Sequence, residues 1–139
     1  MTHVQGIGQL HVSVTDLDRS VAFYRDVLGL RHLSTVDGQP MAFFDAGNGV
    51  RLYLGVPESD RFRSHPLVYY RVDDVRAAFE EVTGRGAPEL TPPHQVYADD
   101  QTEIWMAFVA DPDGTPIALM QESGRYTGSP SAPAEPPVL

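Results

Sequence analysis

The side chains of this chain that can do chemistry are imidazoles, phenols, hydroxyls, carboxylates and guanidiniums, because its 139 residues contain neither cysteine nor lysine. That removes thiolate nucleophiles, disulfides, iron–sulfur clusters and cysteine zinc sites, together with Schiff bases and lysine-based phosphate loops. Among what remains, His11 is the acid–base candidate, since an imidazole titrates near neutral pH and can move a proton in either direction; a purely structural histidine is the competing reading. Tyr69, or Tyr53 in its place, would complete a proton-transfer pair with His11 for an isomerisation, cyclisation or elimination. Arg51 and Arg71 could clamp a carboxylate or phosphate in bidentate fashion, or could pair with Asp45, Asp73 or Glu122. His94 stands in a charged stretch with Tyr97, Asp99, Asp100 and Glu103. Trp105, the single tryptophan, could stack on an aromatic ligand or pack in the core. Nothing fixes a Ser-His-Asp geometry, and Gly6-Ile7-Gly8 is too short and too early for a dinucleotide fingerprint.

The elements that must position these groups are legible through an internal repeat. Met41-Ala42-Phe43 recurs sixty-five residues later as Met106-Ala107-Phe108, and the same offset carries Gly49 to Gly114, Leu52 to Ile117 and Leu54 to Leu119. Nearer the start of each half, Val14-Thr15-Asp16-Leu17 answers Val72-Asp73-Asp74-Val75 at an offset of 58, so the second half holds seven extra residues, assigned to a loop over 91–103 that could close as a lid. Each half opens with strand-like alternation and passes into a helix. Asp16 or Asp18 caps the first, with Leu17, Val21, Tyr24 and Leu28 as its apolar stripe and Gly29 at its end; Asp74 caps the second, which Gly84 or Gly86 terminates. Short strands follow, in the first half near 32–36, 41–45 and 50–54. The pattern specifies an α+β fold of two tandem βαβββ modules, 5–56 and 65–122, in one domain spanning 1–122. Residues 123–139 read as a flexible Pro/Ser-rich tail. Alternation places Gln9, His11 and Ser13 on one face of the first strand, and by the same parity Arg51, Tyr53, Tyr69, Arg71, Ala118 and Met120.

This arrangement resembles the vicinal oxygen chelate superfamily, which holds glyoxalases, bleomycin resistance proteins and extradiol dioxygenases. The run Val14-Thr15-Asp16-Leu17-Asp18-Arg19-Ser20-Val21-Ala22-Phe23-Tyr24-Arg25-Asp26-Val27-Leu28-Gly29 is similar to its first-helix signature, and Asp111-Pro112-Asp113-Gly114 to its final hairpin. The resemblance implies paired modules around a cleft in which a divalent metal is usually held by His, Gln or Glu. Carried onto this sequence, the four ligand positions fall on Gln9, Tyr53, Leu67 and Ala118. One amide and one phenol remain where a metal needs three or four donors, so no metal and no other cofactor is expected.

Ten basic against 19 acidic residues give a net charge of −9, the wrong sign for nucleic acid or an anionic membrane. No apolar run reaches the roughly 20 residues of a membrane span, and the N-terminus lacks a secretory pattern, which together point to the cytoplasm. The partner is then a small organic ligand, contacted by Gln9, Ser13, Arg51, Tyr53, Tyr69, Arg71, His94, Trp105 and Met120. A homodimer is expected from the resemblance and from apolar strand edges. Three functions compete, in this order: metal-independent ligand binding of the resistance or sequestration type, a metal-independent acid–base enzyme using His11, and a divergent glyoxalase- or dioxygenase-type metalloenzyme.

Overall fold

The computed structural model describes residues 3–124 and has the tandem architecture. In the first module β1 (Gln9–Ser13) leads into α1 (Leu17–Ala22), then β2 (Arg31–Thr35), β3 (Met41–Asp45) and β4 (Arg51–Gly55). The second repeats it with β5 (Val68–Arg71), α2 (Val75–Gly84), β6 (Glu89–Ala98), β7 (Thr102–Ala110) and β8 (Pro116–Gly124). Two four-stranded sheets result, ordered β1-β4-β3-β2 and β5-β8-β7-β6, each with its first strand parallel to its last. Among the described residues no helix is long and apolar enough to cross a membrane.

Both helices start where a carboxylate satisfies free backbone donors: Asp16 accepts from the Arg19 N–H and Asp74 from the Ala77 N–H, each at 3.1 Å. The first helix does not continue as one α-helical stripe. After Ala22 it widens into a π turn over Phe23–Val27, closed by the Leu28 N–H on the Phe23 carbonyl at 2.9 Å. A π turn inserts a residue, so Phe23 and Tyr24 both swing inward and both are buried. Gly29 follows at φ 85°, a conformation L side chains rarely adopt.

One core joins the modules. Val12, Phe44, Leu52 and Leu54 of the first pack in the same buried cluster as Val75, Phe79, Ile117 and Leu119 of the second. Tyr24 crosses the junction, its hydroxyl donating to buried Asp111 at 2.8 Å, while the other Asp111 carboxylate oxygen accepts from the Asp113 and Thr115 N–H groups, each at 2.9 Å. Thr15 reaches the same turn, its hydroxyl donating to Asp113 at 2.5 Å. Burial foremost, and the Asp111 charge next, push the Tyr24 phenol far up, so it stays a donor.

The stretch assigned to a loop over 91–103 is a lengthened hairpin instead. The β6–β7 hairpin runs over 89–110 where the β2–β3 hairpin runs over 31–45, a difference of the seven extra residues. Pro92 and Pro93 are accommodated because β6 is the sheet edge, where a missing N–H breaks no ladder, and the register shifts between Thr91 and His94. His94 therefore rides on a paired strand and not on a lid. Ser123 and Gly124, read as the start of the tail, complete β8; the rest of that segment, 125–139, lies outside the described residues.

Candidate functional site

The helix-free face of the first sheet carries a row of rings. His11 on β1 is directly paired with Tyr53 on β4, and Tyr53 with Phe43 on β3. The His11 and Tyr53 rings lie 4.5 Å apart, tilted by 38°, and Tyr53 stacks on Phe43 at 5.2 Å and 25°. Gly55 makes the row possible, since a Cβ there would stand 2.6 Å from the Tyr53 hydroxyl. Beside the rings, Arg51 sits 6.0 Å from the Phe43 centroid and donates through Nε to Gln9 Oε1 at 3.0 Å. The result is an aromatic shelf with a held guanidinium at one end.

His11 is tied down from behind. Its Nε2 lies 3.1 Å from Ser13 Oγ, which also accepts the Ser64 N–H at 2.8 Å, and Ser13 itself is buried. The other ring nitrogen, Nδ1, is buried without a hydrogen-bond partner among the described residues, while the Tyr53 backbone favours the protonated ring. Burial is the larger influence, and with the charge of His65 it lowers the His11 pKa below its ordinary 6.5. The shift favours the neutral imidazole, the form a general base requires.

The second sheet has its own ring cluster. Tyr69, 47% exposed, meets Phe108 edge-on at 6.4 Å, and Phe108 stacks on His94 at the same distance. Arg71 and Met120 are paired one step along the same face, as are Tyr69 and Ala118. Tyr69 is thus grouped with Phe108 and His94, and it is Tyr53 whose ring meets His11. Trp105 falls on the opposite face: its β7 neighbours Met106 and Phe108 point with Met120 and Ala118, while Trp105 packs towards α2 with the Arg76 guanidinium 5.1 Å from its centroid. Trp105 therefore does not share a face with the other residues expected at the ligand site. Phe43 and Phe108 are the two ring positions missing from the sequence reading. The recurrence of Met-Ala-Phe already marked them, because the Phe of each copy shares a face with Tyr53 or Ala118.

The donors at the four metal positions do not fit an ion. Leu67 and Ala118 offer no donor atom, the Gln9 oxygen is held by Arg51, and Tyr53 is the middle ring of the shelf. Among the described residues no group of three or more His, Asp or Glu is placed to hold a metal.

Known proteins agree with the fold. Lactoylglutathione lyase of Haemophilus influenzae is 30% identical over 126 residues, spanning 83% of this chain and 91% of that protein. Metallothiol transferase FosB of Lysinibacillus sphaericus is 37% identical over 75 residues, 51% of each chain. Among solved structures, TnmS3, an antibiotic binding protein from a Streptomyces species, superposes with a TM-score of 0.68 at 23% identity, covering 88% of this chain and all 100% of its own. Lactoylglutathione lyase from Agrobacterium tumefaciens does so at 0.64 and 21%, covering 85% and 94%. Residues 6–119 match the sequence pattern of the Glyoxalase/Bleomycin resistance protein/Dioxygenase superfamily, and by that match the chain belongs to it.

Proposed function

We propose that this protein binds a small planar organic molecule without a metal and without turning it over. One observation carries the reading: Tyr53, at a position where the superfamily usually places a metal ligand, is the centre of the ring row His11–Tyr53–Phe43. Such a shelf recognises a flat unsaturated ring by stacking, a contribution of about 0.5–1.5 kcal/mol per aromatic pair beyond area burial. Arg51, oriented by Gln9, offers charged donors to a carbonyl or carboxylate on the ligand's rim. The fold likeness to TnmS3, an antibiotic binding protein, is consistent with this use of the scaffold.

The acid–base alternative draws on a different observation, the neutral His11 ring. It requires a substrate to displace Ser13 from Nε2, because Nδ1 is buried. The metalloenzyme alternative draws on the names of the relatives and finds no donor set among the described residues.

A thermal-shift screen of planar aromatic metabolites and antibiotics in chelator-treated buffer tests the reading. Stabilising hits that Tyr53→Ala weakens at least tenfold, about 1.4 kcal/mol, support it. Turnover of a hit that falls a hundredfold or more in His11→Ala, with affinity changed less than tenfold, would replace it with the acid–base enzyme.

A further inference from the structure

The repeat makes each half a control for the other. In one junction between modules, Tyr24 fills the gap and binds Asp111. By the two offsets in the sequence, the counterpart of Tyr24 is Val82 and that of Asp111 is Ala46. The plug and its acceptor are both missing there, and a groove of about 1050 Å³ lies open, lined by Val82 and Ala46 themselves. That size is just above the roughly 300–1,000 Å³ usual for small-molecule sites. It is separate from the ring shelf, since neither His11, Tyr53 nor Phe43 lines it.

Its lining is amphipathic. Val82 and Leu119 are buried at its floor, half-buried Leu10, Leu28 and Val68 form apolar walls, and exposed arginines stand at the rim. Arg31, Arg71 and Arg85 face two carboxylates, Glu81 and Asp45, so the groove is net positive in a chain of charge −9. Glu81 is already paired with Arg85, and Asp45 accepts the Gly47 N–H at 2.8 Å. Arg31 and Arg71 make no ion pair or side-chain hydrogen bond among the described residues. We infer that this unplugged junction is a second binding site, for a small organic anion with an apolar body and one carboxylate. The body takes the place that the Tyr24 ring occupies in the other junction, and the head group meets Arg31 and Arg71.

Calorimetric titration of the full chain with decanoate, and with decanol as the neutral counterpart, tests this. Decanoate should bind with 1:1 stoichiometry per chain and at least tenfold more tightly than decanol, and Arg31→Ala/Arg71→Ala should remove that difference. Val82→Tyr, or Val82→Tyr/Ala46→Asp to restore the acceptor as well, should abolish binding, whereas Tyr53→Ala should leave it within twofold. Equal affinity for decanol, undiminished binding in a folded Val82→Tyr, or loss of binding in Tyr53→Ala would each overturn the assignment. The exposed double arginine variant keeps the test decisive if the plugged variants do not fold.

Discussion

At the scale of single residues, a buried carboxylate and a half-buried imidazole set the energetics most open to test. Asp111 is a 2% exposed carboxylate whose oxygens accept from one phenol and two backbone N–H groups. Tyr24→Phe keeps the ring and deletes the buried phenol–carboxylate bond between the modules, leaving a charged oxygen short of a partner. The expected loss is about 1.5–3 kcal/mol in urea unfolding, with little change in the far-ultraviolet circular dichroism. His11 gives a pH dependence of defined sign. Its folded pKa lies below the ordinary 6.5, so the unfolded chain binds the proton more tightly. The associated stability is fully present above pH 6.5 and is lost as pH falls from there through the folded pKa. Wild type should therefore weaken between pH 6.5 and its lower folded midpoint relative to His11→Gln, and the His11 ring proton should titrate below 6.5 by NMR. A midpoint above 6.5 would contradict the burial argument. His11 and Tyr53 were legible as face-sharing residues from alternation alone. The tether from Ser64 was not, because it joins residues 51 apart in the chain.

At the scale of elements, the caps and the two sheets followed from local signals, and the exceptions have local causes. Asp16 and Asp74 occupy equivalent places in the repeat and make equivalent bonds. Either one changed to Ala should cost about 1 kcal/mol by urea unfolding, and the two losses should add within error because the caps are separate. The long hairpin escaped the sequence because Pro92-Pro93 reads as a strand breaker, which holds for a central strand and not for the edge strand β6. Trp105 escaped because its residue type suggests stacking while its parity in β7 sends it to α2. The π turn after Ala22 has no sequence signature of its own; only the joint burial of Phe23 and Tyr24 reveals what it does.

At the scale of the whole molecule, the two ring clusters occupy separate sheets, and apolar side chains are exposed around them. Tyr69 is 47% exposed, Leu67 44% and Leu33 on the outer strand β2 42%. A second copy covering such surface would remove it from water at roughly 25 cal/mol per Å². Light scattering at micromolar concentration should give the dimer mass, and the monomer mass alone would contradict this. The tandem fold was readable from the repeat, whereas the open junction was not, because it is a difference between two halves that only their packing displays. In the proposed function the ring shelf holds its ligand without a metal. Calorimetric titration of a thermal-shift hit, in chelated buffer and again with a zinc or nickel salt, tests it most directly. The predicted result is 1:1 binding with affinities equal within twofold in the two buffers; a gain of tenfold or more with metal, or no binding without it, would contradict the account.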